Sequence, residues 1–73
     1  MTTFPPPAIQ VGLLDKEIAD LRLLQRRHES WSRKTDDERV HKAQLRVASA
    51  LEQTVFEMEN NLMPALELID KKP

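Results

Sequence analysis

The residues with the most chemical potential lie in one short stretch, residues 26–34 (RRHESWSRK). This stretch holds the only Trp, one of the two His and four of the eleven basic residues. Guanidinium and ammonium groups can contact carboxylates or phosphates, and an indole ring can stack on a nucleic-acid base. Helical spacing extends the cluster into two basic ridges, one on each of two predicted helices: Arg22, Arg26 and Arg33 on the first, and Arg39, Lys42 and Arg46 on the second.

These ridges allow two binding interpretations besides that of a solvated surface, which is the usual outcome for a run of charge. An acidic protein partner would fit the positive charge, and the phosphates of nucleic acid are the alternative. The formal net charge of the whole chain is −1, and no helix-turn-helix pattern of a DNA-binding protein is present. We therefore favour an acidic protein partner over nucleic acid.

Catalytic and metal-binding chemistry has little support in the residue types. There are no cysteines, the single Gly rules out a Gly-rich phosphate loop, and no Ser has a neighbouring base in a known catalytic order. His28 and His41 are far apart in sequence, whereas zinc ligands usually recur at tight spacing. We expect His28 to be partly buried against a carbonyl or carboxylate and His41 to lie on the surface. The sequence thus predicts no enzyme, no cofactor and no metal site.

Size and composition favour a small helical protein that needs a partner chain. The 73 residues include one Gly, no Tyr and 32% charged residues, which suits helices better than sheets. A chain of this size buries only about 60% of its unfolded surface, and the absence of Cys removes disulfides as a support. No apolar run approaches the roughly 20 residues of a membrane span, and the N-terminus has no signal-peptide pattern. We expect a cytoplasmic protein without membrane contact.

The charge is unevenly placed along the chain. Residues 1–21 carry a formal charge of −2, residues 22–46 carry +4, and residues 47–73 carry −3. The middle of the chain is therefore basic, and both ends are acidic.

The proline run at residues 5–7 predicts an extended N-terminal arm over residues 1–11, because each ring disfavours helical geometry in the residue before it. A first helix is predicted at about residues 13–31. Its apolar face comprises Leu13, Leu14, Ile18, Leu21, Leu24, His28 and Trp31. We expect Trp31 to close one end of the fold, beside a connector at about residues 32–35.

A second, longer helix is predicted at about residues 36–71, from a capping box in which Thr35 is the N-cap and Glu38 the reciprocal partner. Its apolar stripe follows a nearly heptad spacing through Val40, Gln44, Val47, Leu51, Val55, Met58, Leu62, Ala65 and Ile69. Pro64 removes a backbone donor and crowds the carbonyl of Asn60. We therefore expect a kink at Pro64, with a break near residues 60–61 as the alternative.

The two helices predict an all-α fold, an antiparallel, coiled-coil-like two-helix hairpin over residues 12–73. With a turn near residues 33–34, facing residues have numbers that sum to 67 or 68, so Ile18 should face Leu51. The second helix then overhangs the first by residues 58–69. We expect residues 4–11 of the arm to dock along this overhang, in the same chain or in another one.

Several apolar side chains cannot be buried by such a hairpin alone, and we predict that they bind a protein partner. These residues are Leu45, Phe56, Met58, Leu62, Met63, Leu66 and Ile69. The partner would be a second copy of the chain or a larger complex, in which the protein serves as a subunit, adaptor or small chaperone. The alternative function is nucleic-acid binding through the basic residues at the hairpin tip.

Overall fold

The computed structural model describes residues 5–71, and these residues form the predicted hairpin. Helix α1 spans Pro7–Lys34 and helix α2 spans Glu38–Glu57. A π turn at Met58–Leu62 leads directly into helix α3, Met63–Asp70. No strand occurs between residues 5 and 71. Helix α1 packs against both α2 and α3, so the all-α antiparallel hairpin is confirmed.

Helix α1 begins six residues earlier than predicted. Pro6 is the N-cap with extended geometry, and its carbonyl accepts hydrogen bonds from the amides of Ile9 and Gln10, both at 3.0 Å. The predicted arm was therefore wrong over residues 7–11, which are helical. The steric rule against helix applies only to residues that precede a proline, and Pro7 is followed by Ala8. Pro7 can thus occupy the first helical position, where its missing N–H costs nothing.

Because α1 is longer, the predicted overhang of the second helix is largely removed. The first turns of α1 are half-buried at Pro7, Gln10 and Val11, and α1 contacts α3. Residues 7–11 therefore extend the hairpin as helix instead of docking as an extended strip. The part of the arm at residues 1–4 lies outside the described residues.

The connector is shorter and later in the chain than predicted, and its cap is a different residue. Helix α1 continues to Lys34, and Asp37 is the N-cap of α2. The Asp37 carboxylate accepts hydrogen bonds from the amides of Arg39 (2.8 Å) and Val40 (3.2 Å). Thr35, the predicted N-cap, instead accepts the amide of Asp37 at 3.2 Å. Both side chains are suited to capping, and the acceptor closer to the helix satisfies its free N–H groups.

This connector shifts the register of the hairpin by about one helical turn. Two cross-hairpin hydrogen bonds join residues whose numbers sum to 72 or 73, His28 to Gln44 and Ser32 to His41, instead of 67 or 68. Because the connector is centred on residue 36, these sums are what an antiparallel pair requires. Ile18 therefore lies across from Val55 and not from Leu51, as predicted.

The core is a narrow seam of side chains between α1 and α2. Its buried apolar residues, among residues 5–71, are Leu14, Ile18, Ala48 and Val55. Ala48 takes the place that the sequence assigned to Val47, which is 41% exposed. The change of register explains this exchange, since neighbouring positions differ by about 100° around the helix.

The predicted interruption at Pro64 takes the form of a π turn directly before the proline. The amide of Met63 donates to the carbonyl of Met58, five residues back, and the helical backbone continues through Pro64. A proline ring at position 64 would crowd the carbonyl of Asn60 in a regular α-helical turn, and a wider turn is one way to relieve this crowding. The π turn also adds one residue to the apolar repeat. Met63 and Leu66 are consequently half-buried, whereas Leu62 is exposed.

Candidate interaction surfaces

The hairpin has two broad sides, and the ion pair between Arg22 and Glu59 identifies one of them. These side chains meet at 2.6 Å across the two helices. Successive side chains are about 100° apart around a helix axis. Counted from the buried seam at this spacing, both side chains lie on the same side of the hairpin. We call it the charged side. Side chains displaced from the seam in the opposite angular direction lie on the other side of the hairpin, which we call the apolar side.

The charged side carries Phe56 beside the Arg22–Glu59 pair and Leu45 nearer the connector. A shallow depression there is lined by Arg22, Gln25, Glu52, Val55, Phe56 and Glu59. Phe56 is well exposed at its edge. The ion pair is itself about half exposed, so it contributes no more than about 1 kcal/mol to stability. This side combines one exposed aromatic ring with mixed charge.

The two predicted basic ridges do not combine into one binding groove. Arg22, Arg26 and Arg33 of α1 project toward the charged side, as their helical spacing requires. Arg39, Lys42 and Arg46 of α2 project away from α1, onto the outer surface of the hairpin. Lys42 pairs with Glu38 at 3.1 Å, and Arg39 lies 3.9 Å from Asp37. Three of the six basic residues therefore have a carboxylate neighbour within the chain.

The end of the hairpin at the connector, the closed end, is held by polar groups. Ser32 is only 1% exposed, and its hydroxyl donates to the carbonyl of Glu29 at 2.6 Å. The carbonyl of Ser32 accepts from His41 Nδ1 at 2.6 Å, and the amide oxygen of Gln44 lies 2.5 Å from His28 Nδ1. Since both partners are oxygen acceptors, each Nδ1 carries the proton.

This arrangement corrects two predictions about the closed end. Trp31 does not fill this end, because the residue is 47% exposed. Its ring packs edge-to-face with His28, with centroids 5.4 Å apart, and the guanidinium of Arg27 lies 5.8 Å from the Trp31 centroid. His41 is half-buried and hydrogen-bonded, not a surface residue. His28 is half-buried against a carbonyl oxygen, as predicted, and this oxygen belongs to the side chain of Gln44. A buried Ser gives no apolar signal, so periodicity could not identify it.

Most of the exposed large hydrophobic side chains of residues 5–71 lie on the apolar side. One row on the second helix follows the spacing of helical neighbours and contains no charged residue: Val40, Ala43, Val47, Ala50, Thr54, Met58 and Leu62. Val40, Val47 and Leu62 are exposed, and Leu62 lines a shallow depression with Ala50, Thr54 and Met58. This row could accept another helix, because its small residues let a neighbouring backbone approach closely.

Helix α1 adds large residues to both ends of the apolar side. Trp31 lies near the closed end, and Leu13 lies five helical turns away, on the same side of α1. Ile9 is next to Leu13, at the open end where α1 begins and α3 finishes. All three are about half exposed. Ile69, two turns beyond Leu62, continues the surface along α3.

The structure divides the predicted partner-binding residues among three environments. Leu45 and Phe56 are on the charged side. Met58, Leu62, Leu66 and Ile69 belong to the apolar side, and Met63 turns toward the seam. The sequence did not predict five exposed residues of the apolar side. It assigned four of them to the seam, namely Val40, Val47, Leu13 and Trp31, and it assigned Ile9 to the arm.

Neither a metal cluster nor a membrane-spanning helix is found in the described part of the chain. Within residues 5–71, the His, Asp and Glu side chains form no group of three that could hold a metal ion. Over the same residues, the helices are too short or too polar to cross a bilayer.

Comparisons with known proteins add no relative to this picture. The chain matches no protein-family model, and neither a curated protein nor a solved structure matches it.

Proposed function

We propose that the protein is a non-catalytic, helical-hairpin interaction protein that works by burying its apolar side against another protein chain. The observation that carries this proposal is the uncharged row from Val40 to Leu62, flanked by exposed Trp31 and Leu13. Contiguous apolar surface of this kind on a small protein marks an interaction site.

The dimensions of the molecule support the same proposal. The hairpin measures 56 × 26 × 17 Å, and its radius of gyration is 16.1 Å, whereas a compact domain of 73 residues has about 11 Å. A thickness of 17 Å accommodates a single layer of helices. Stable domains usually bury their core between two packed layers. A second layer supplied by a partner would complete the fold.

The basic residues do not favour the alternative of nucleic-acid binding. The ridge of Arg39, Lys42 and Arg46 faces away from the ridge on α1, so the two do not follow one phosphate backbone. Lys42 and Arg22 are already engaged with carboxylates. We therefore assign the basic residues to charge balance at protein surfaces, where an acidic partner surface fits them best.

A matched pair of substitutions tests the proposed function. Val47 is 41% exposed on the apolar side, and Leu45, two residues away on the same helix, is 43% exposed on the charged side. Val47→Glu should abolish association with any partner protein that co-purifies with the native chain, because it places an unpaired charge in the interface. Leu45→Glu should leave that association intact, because the proposal assigns the interface to the apolar side and gives up the partner contact predicted for Leu45. Equal losses in both variants, or a loss only in Leu45→Glu, would contradict the proposal.

A further inference from the structure

We propose that the partner layer is a second copy of this chain, packed antiparallel through the apolar side. The closed end of one hairpin then lies against the open end of the other, and the two copies form a four-helix bundle with two-fold symmetry. This inference rests on the proposed function, because it uses the same surface and names the protein that covers it.

The single chain exposes more surface than a typical folded monomer of its mass, and a dimer interface would bury the difference. The single chain exposes 5870 Å², whereas a folded monomer of 8.5 kDa exposes about 4,700 Å². The excess, about 1,200 Å² per chain, is larger than the roughly 800 Å² that each partner buries in an interface of standard size and falls within the range of about 1,000–2,500 Å² per partner for obligate dimers. A dimer interface of the obligate class would remove the excess.

The net charge of each half of the hairpin favours one orientation of the second copy. Residues 22–46, which form the closed half of the hairpin, carry a formal charge of +4. The open half combines residues 1–21 at −2 with residues 47–73 at −3, giving −5. A parallel pair would place like charges together at both ends, whereas an antiparallel pair matches opposite charges twice. Complementary potentials of this kind fix the relative orientation of the partners in an interface.

The apolar side is also self-complementary in shape. Its large residues lie at the ends, with Trp31 and Val40 near the closed end and Leu13 and Leu62 in the open half. On α2 its middle has the small side chains Ala50 and Thr54, beside Glu17 and Asp20 on α1. An isologous two-fold contact brings the two middles together and sets each closed end against an open end. The small central residues allow close approach there, and the large residues cover one another at both ends.

Sedimentation equilibrium of the wild type and the two matched variants tests the self-association. We expect a monomer–dimer equilibrium for the wild type, and a dissociation constant within about threefold of it for Leu45→Glu, as for an ordinary surface change. Val47→Glu should raise the constant at least about 100-fold, because the two-fold axis buries the new charge twice. Loss of the dimer in Leu45→Glu and not in Val47→Glu would overturn the choice of face.

The orientation is measured separately with a spin label at the closed end. Asp36 is exposed in the connector, and the chain contains no Cys, so Asp36→Cys gives a single labelling site outside the proposed interface. Pulsed electron–electron double resonance should report a distance between the two labels comparable to the 56 Å length of the hairpin. A distance below half that length would show a parallel pair and overturn the antiparallel arrangement.

A folded wild-type monomer at every concentration would overturn the self-association without deciding the proposed function. That function would still stand if a different protein bound the chain and lost its binding with Val47→Glu but not with Leu45→Glu. If no protein bound through Val47 at all, both would fail.

Discussion

The seam between α1 and α2 predicts that Ile18→Ala is severely destabilising, whereas Leu23→Ala on the same helix is nearly neutral. Ile18 is 7% exposed, and Leu23 is 59% exposed. The Ile18 change removes three buried carbon atoms, worth about 0.8 kcal/mol each, or roughly 2.4 kcal/mol. A residual cavity adds to this, so the total should fall between about 2.5 and 4 kcal/mol.

That loss is large compared with the stability of the whole chain. At about 0.05–0.15 kcal/mol per residue, 73 residues give a free energy of unfolding of roughly 4–11 kcal/mol. A hairpin with so small a core belongs near the lower limit, and Ile18→Ala should then populate the unfolded state without denaturant. Leu23→Ala should change the free energy by less than about 0.5 kcal/mol.

Urea denaturation followed by circular dichroism at 222 nm measures both variants. All samples need the same protein concentration, because association stabilises the folded chain by mass action. Similar shifts of the urea midpoint for Ile18→Ala and Leu23→Ala would refute the assignment of the buried face. A change below about 0.5 kcal/mol for Ile18→Ala would refute the seam itself.

Further predictions concern the two ends of the helices. Asp37→Ala should lower the free energy of unfolding by about 0.5–2 kcal/mol because it removes the acceptor for two amides of α2, while Thr35→Ala should lower it less. A larger loss for Thr35→Ala in urea denaturation would show that Thr35 is the N-cap. Gly12→Ala should stabilise the hairpin by about 0.5–1 kcal/mol, since Gly12 is inside α1 and an added Cβ meets nothing within 4 Å. A lower melting temperature for Gly12→Ala would show that this part of α1 is not helical in solution.

Periodicity was sufficient to predict the hairpin, because its signal is spread over many residues of each helix. The apolar residues of α1, from Leu14 to His28, recur every three or four positions and occur in a buried or half-buried row. A misplaced single residue does not change such a pattern. The fold class therefore depends little on where each helix begins or ends.

The register could not be predicted, because it depends on a few residues at the connector. Thr35 and Asp37 are both good N-caps, and choosing between them moves every facing pair by about one turn. Val47 and Ala48 exchange places as a result, one becoming exposed and the other buried. Ala48 is only 4% exposed, and its burial is a property of the assembled pair and not of either helix.

The candidate site could be predicted only in part for the same reason. The sequence predicted Leu62 and Ile69 as partner-binding residues, and both are exposed. It placed Val40 and Val47 on the same stripe but assigned that stripe to the contact with the first helix, whereas Val40 and Val47 are exposed as well. The repeat gave no sign of the π turn, which inserts one residue between Met58 and Met63.

The solvent accessibility of Trp31 shows directly whether a second copy covers the apolar side, as proposed. Trp31 is the only Trp and is 47% exposed in the single chain, so its fluorescence reports this surface without any substitution. As the protein concentration rises through the dimer range, acrylamide quenching of Trp31 should fall several-fold and its emission should shift to the blue. Val47→Glu should keep the quenching of the dilute wild type. Quenching that stays constant while circular dichroism shows a folded hairpin at every concentration would contradict the claim.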